Sequence, residues 1–146
     1  MKCYVVIDTN VVLSALMYAQ KFKGLDSSVP LKVLSLALEG KNKIIPIINE
    51  EMLDEYKDVL SRKEFSIERE RIGRFINDFR AAGLYMNSAE IDEELPDSDD
   101  VVFYQVVMEG RKTENSFLVT GNKRHFPAKD FIVSPSEFLE RVAEFG

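Results

Sequence analysis

Several carboxylates stand where burial makes a charge costly. Tyr4, Val5, Val6 and Ile7 run straight into Asp8, and an apolar series resumes at Val11. The pattern is a buried strand that ends on an acid, and an acid there is costly unless it is paired or bound to metal. Asp97, Asp99 and Asp100 gather just before a second apolar stretch. Thr120, Gly121 and Asn122 follow a third, Phe117 to Val119, so that Asn122 closes another central strand. Glu55 is the fourth candidate, on the border of a helix face. Carboxylates brought within a few ångströms of one another raise each other's pKa unless a cation neutralises them. A hard divalent ion with oxygen ligands does so. The only histidine is His125 and the only cysteine Cys3, so no zinc-type cluster is expected. The predicted metal is Mg²⁺ or Mn²⁺.

The elements that must position these groups alternate in type. After the strand into Asp8, a helix is expected from Asn10 to about Tyr18, then a polar connection with Gly24, Ser27 and Ser28. A second helix starts at Pro30 and stops at Gly40. Lys43 to Ile48 is of strand type, and Pro46 puts it near an end or an edge of the sheet. Asn49 caps the next helix, in which Met52, Leu53, Tyr56, Val59 and Leu60 form one buried face. At 100° per residue Glu55 lies at the border of that face, while Asp54, Lys57 and Asp58 point further out. A helix from about Ile67 to Ala82, a short strand near Leu84 and an acidic loop to Pro96 follow. Val101 to Met108 is apolar enough to be a helix buried on several sides. Strands at Ser116 to Val119 and Phe131 to Val133, then a helix from Pro135, complete the series. This alternation predicts one α/β domain over residues 1–146, a three-layer α/β/α sandwich on a mainly parallel sheet. Asp8 then points into the crevice beyond the carboxyl ends of the strands.

The chain has 146 residues, 45% hydrophobic and 30% charged, enough to bury a core unaided. Its formal net charge of −6 argues against a broad basic nucleic-acid surface, but not against an acidic site that takes metal first and phosphate second. No run approaches the roughly 20 apolar residues of a membrane span, and the start leads into a strand rather than a signal peptide. A cytoplasmic protein with no membrane contact is expected. Cys3 reads as packing.

Five segments together resemble the PIN-domain metal-dependent ribonucleases, especially the branch of toxin components of toxin-antitoxin systems (VapC-like). They are Ile7 to Val11, Glu55 to Leu60, Pro96 to Phe103, Leu118 to Pro127 and Ile132 to Leu139. By position, the resemblance makes Asp8 the first acid, Glu55 the helix acid and Asp100 the third. Asp97 is an outer partner, or trades places with Asp100. Asn122 stands where the family often has an aspartate; its carbonyl can coordinate but neutralises nothing, which weakens any second metal site. The resemblance implies hydrolysis of single-stranded or structured RNA by water, with one or two Mg²⁺ or Mn²⁺ ions and no side-chain nucleophile. It makes Thr9, Asn10 and Thr120 supporting residues that orient carboxylates, with Ser14 able to reach substrate or carboxylate. Lys123 and Arg124 would hold RNA phosphates. It further implies a small antitoxin partner and a homodimer, for which the helices between residues 30 and 82 could supply the surface.

Plainer readings stand beside these. Asp97 and Ser98 can serve as helix caps, and Glu55 as a solvated edge charge. His125 invites a general-base role that a metal makes unnecessary, and a loop contact is expected instead. Arg69, Arg71, Arg74 and Arg80 pair within their helix with Glu68, Glu70 and Asp78 in the simplest reading. A PIN-fold binding module weakened by Asn122 is the rival function. A phosphoaspartate phosphatase is weaker, because Asp8-Thr9-Asn10 lacks a second aspartate two residues on.

Overall fold

The strand that ends on Asp8 becomes the middle of a sheet. The computed structural model describes residues 2–22, 28–39 and 43–145. Among them, five strands lie in one sheet: β1 (Cys3–Ile7), β2 (Ile44–Ile48), β3 (Leu84–Tyr85), β4 (Ser116–Val119) and β5 (Ile132–Val133). Every pairing is parallel and the order is β3-β2-β1-β4-β5, so the sheet is wholly rather than mainly parallel. Central strands buried on both faces explain why they read as unbroken apolar runs.

Among the described residues, five α-helices connect the strands, α1 (Thr9–Lys21), α2 (Val29–Leu38), α3 (Glu50–Leu60), α4 (Arg69–Ala82) and α5 (Val101–Arg111), and α6 (Pro135–Phe145) follows the last strand. From β1 the chain passes through α1 and α2 to β2, and through α3 and α4 to β3, on one side of β1. It then returns through α5 to β4 on the other side. Right-handed crossovers in opposite directions place the two sets of helices on opposite faces, which makes the three layers. The direction of winding reverses between β1 and β4, and the crevice beyond their carboxyl ends is where such sheets bind ligands.

Pro46 sits inside β2, paired with Val5 of β1 on the stretch that β3 does not cover, so the edge it signals is a local one. Cys3 N donates to Lys43 O across the β1 side and Met86 N donates to Ile48 O across the β3 side. By alternation the nitrogen of Pro46 faces β3, whose two residues pair only with Ile47 and Ile48. The missing N–H therefore meets no acceptor strand. Asn49 caps α3 by accepting from Met52 N, and its amide also donates to Met86 O and Ser88 Oγ, fastening the acidic loop. Arg80 departs from intrahelical pairing and meets Glu50 of α3 at 2.7 Å. The expected stop of α2 at Gly40, and Gly24 and Ser27 of the first connection, lie outside the described residues. Cys3 is fully buried, and burial pushes its thiol up to about 12, as expected of a packing residue. No helix among the described residues is long and apolar enough to cross a membrane.

Candidate metal centre

Asp8 is the pivot of the crevice. It is 2% exposed and caps α1, and three donors fix its carboxylate. Thr9 N donates to Oδ1 at 2.8 Å, while Asn10 Nδ2 at 3.1 Å and Thr120 Oγ1 at 2.7 Å donate to Oδ2. The second layer is as specific: Asn122 N donates to Thr120 Oγ1, and Gly121 N donates to Asn10 Oδ1 at 2.9 Å. The turns after β1 and β4 are thus tied together through the side chains of Asn10 and Thr120. From α3, the hydroxyl of the buried Tyr56 donates to Ile7 O, anchoring the helix one residue from Asp8.

Around Asp8 the crevice is lined by Thr9, Asn10, Glu55, Asp97, Asp99, Asp100, Asn122 and His125, with Arg62 at its side. Residues far apart in sequence converge because α1, α3 and the turn before α5 all begin at the carboxyl edge of the sheet. Asp97 caps that turn, accepting from Asp99 N at 2.9 Å, and so fulfils the plainer reading while still lining the site. Glu55 is half-buried, as its border position predicts. Asn122 lies at the exposed rim.

Three carboxyl groups here are raised above their ordinary range. Burial pushes Asp8 up to about 6, with the charge of Asp100 adding to it against the lowering bond from Thr120. Burial also raises Asp100, helped by Asp97 and Asp99 and opposed by His125. Glu55 is raised by burial and by Asp99, Asp58 and Asp97, opposed by Arg62. A crevice that holds several acids with too little positive charge favours a cation. Thr9, also in the lining, keeps its Oγ1 buried without a hydrogen-bond partner, which is uncommon for a buried hydroxyl. Oxygen-rich donors, acid charge and an unsatisfied hydroxyl together fit a divalent ion.

A model of the PIN domain matches residues 4–124. This chain belongs to the PIN-domain family. PIN domains are generally nucleases that use a divalent metal, and this chain has an acidic cluster. Comparisons with curated proteins and with solved structures find no match.

Other residues of this PIN domain stand differently from expectation. Ser14 is on the exposed side of α1 and is not part of the crevice lining, whereas its neighbour Leu13 is. Lys123 is held at 2.9 Å by Glu137 of α6, a carboxyl that this contact pulls down to about 2. With Arg124 it lines a neighbouring cavity of about 540 Å³ with Phe126, Pro127 and Lys129, not the acid crevice. His125 makes more than a loop contact: its Nδ1 lies 3.0 Å from Asp100 Oδ2. Asp97, Asp100 and His125 each bring one ligand atom within 4.8 Å of the others, so an acid and imidazole cluster exists where none was expected. Arg62 lies two residues beyond the end of α3 in extended backbone, so helical period does not announce it. Nothing in the sequence around His125 announces Asp100.

Proposed function

We propose that this PIN domain is a divalent-metal-dependent endoribonuclease that hydrolyses RNA phosphodiester bonds, and that it is the toxin of a toxin-antitoxin pair. The observation that supports the nuclease reading is the convergence of Asp8, Glu55 and Asp100 in one crevice, all three with carboxyl groups raised by burial first and by neighbouring carboxylates second. These three would hold Mg²⁺ or Mn²⁺, with Asp97 and Asn122 at its margin. When bound, the ion supplies Lewis acidity that activates water and neutralises charge on the phosphate. The chain supplies orientation through the Thr9, Asn10 and Thr120 clamp on Asp8. Glu55, raised and half-buried, is the group to accept a proton from water. Arg62 offers positive charge to a phosphate at the crevice, and Arg124 extends the path past it.

The test is incubation of the pure protein with single-stranded and hairpin RNA in Mg²⁺ or Mn²⁺, with EDTA and Asp8→Asn as controls. Cleavage should need the metal and vanish in Asp8→Asn. No cleavage with either ion, or cleavage that survives Asp8→Asn, overturns the reading. Metal-independent RNA binding without cleavage would favour the binding module that the uncharged Asn122 motivates. The toxin role rests on the five-segment resemblance. It predicts a small open reading frame beside the gene whose product co-purifies with this chain and blocks cleavage. Light scattering on the pure chain tests the homodimer.

A further inference from the structure

His125 has no place in a site built from carboxylates alone. Its side chain is 41% exposed, so packing does not account for its position, and its ring faces Asp100. The placement is specific: His125 N donates to Asn122 O and Phe126 N to Lys123 O, a tight turn pinned from below by the buried Phe126. This turn delivers an imidazole nitrogen beside Asp100, whose side chain is 13% exposed, and within 4.8 Å of a ligand atom of Asp97. Thr9, 8% exposed, lines the same crevice, and its buried Oγ1 has no hydrogen-bond partner. Asn122, three residues before His125, provides no charge at the rim.

We infer that His125 is itself a metal ligand, completing with Asp97 and Asp100 a mixed nitrogen and oxygen set that takes Mn²⁺ in preference to Mg²⁺. The inference rests on the nuclease reading for the existence of a bound ion, and goes beyond it in ligand and in metal. Mg²⁺ favours oxygen donors and retained waters, whereas imidazole suits transition metals, and Mn²⁺ accepts both kinds of donor. The competing account makes His125 a protonated counter-ion that sits on Asp100 in place of a metal. The two accounts predict opposite signs. Removal of a ligand loosens metal binding, and removal of a competing cation tightens it.

The experiment is titration of the full chain and of His125→Ala with Mn²⁺ alone and with Mg²⁺ alone by calorimetry, with circular dichroism to confirm folding. Since loss of even an outer partner loosens metal on the order of 10-fold to 100-fold, His125→Ala should weaken Mn²⁺ by at least about tenfold. Mg²⁺ should change far less, so the preference for Mn²⁺ collapses. Pulsed electron paramagnetic resonance of the Mn²⁺ form should show coupling to an imidazole nitrogen that is lost in His125→Ala. Unchanged or tighter Mn²⁺ binding in His125→Ala, or no nitrogen coupling in the unsubstituted chain, overturns the inference. If Asp100→Asn abolishes Mn²⁺ binding while His125→Ala does not, only the role of His125 fails. If the unsubstituted chain binds no divalent ion, the nuclease reading fails with it.

Discussion

A carboxyl group that stays protonated to about pH 6 reports on its own surroundings, and Asp8 does so for the whole crevice. Between its ordinary value of 3.8 and its folded value, the folded chain holds a proton that the unfolded chain has released. Without metal, stability therefore falls as pH rises through this window. The fall is on the order of 3 kcal/mol, because each tenfold difference in proton affinity is worth about 1.4 kcal/mol. Asp8→Asn removes the titration. In EDTA, the stability of the unsubstituted chain relative to Asp8→Asn should drop by a few kcal/mol from pH 4 to pH 7, read by urea unfolding. A difference that stays flat over that range would contradict the burial of a charge. The absolute offset says less, because the introduced amide faces the Nδ2 donor of Asn10. Asn10 yields its own prediction, since its side chain holds both Asp8 Oδ2 and Gly121 N. Asn10→Ala leaves both short of a partner and should cost about 1–3 kcal/mol in thermal or urea unfolding. It should also weaken Mn²⁺ on the order of tenfold or more in calorimetry, as loss of an orienting partner does.

Helices and strands hold the crevice open only if they pack closely beneath it, and α5 packs closest. A Cβ on Gly110 would lie 2.6 Å from Ser116 Oγ and 2.9 Å from Ile47 Cδ1, inside any tolerable contact. Gly110→Ala would push α5 off β4 and β2, at a cost of about 1–3 kcal/mol. Gly73→Ala in α4 is its control. Nothing lies within 4 Å of that added carbon, so helix propensity alone should raise stability by about 0.5–1 kcal/mol. Thermal unfolding of the two variants should move in opposite directions. At this scale much was legible. β1 and β4 announce themselves as apolar runs, the border position of Glu55 follows from helical period, and Asn49 and Asp97 cap as their types predict. What was not legible depends on partners distant in the chain. Pro46 signals an edge, but a sequence does not show that the edge is local, made by β3 covering only Ile47 and Ile48. Arg80 reads as intrahelical because Glu50, its partner, belongs to another helix. The contact between His125 and Asp100 joins the turn after β4 to the start of α5, and Ser14 misses the site because it lies on the exposed side of α1 while Leu13 lines the crevice.

Over the whole molecule, charge and stability are coupled through the crevice. The chain carries a formal charge of −6, and several of its acids line one cleft with Arg62 and His125 as the nearby bases. Repulsion among them is strongest when all are ionised, so a bound divalent ion should stabilise the fold as well as complete the site. An ion that binds only the folded chain adds RT ln(1 + [L]/Kd), about 2.7 kcal/mol at one hundred times Kd. For a chain of this size that is a rise of roughly 5–11 °C in the unfolding midpoint, on the scaling of about 2–4 °C per kcal/mol near 150 residues. Protons compete with the ion for Asp8, so the rise should be large at pH 7 and fade below about pH 6. Scanning fluorimetry with Mn²⁺ at pH 5, 6 and 7, reversed by EDTA and repeated in Asp100→Asn, reads it. An equal rise at all three pH values, or one that persists in Asp100→Asn, would mean that the ion binds elsewhere on the acidic surface. A rise confined to neutral pH and lost with Asp100 would place the ion among the raised carboxylates, where the buried Asp8 and its clamp already wait for a positive charge.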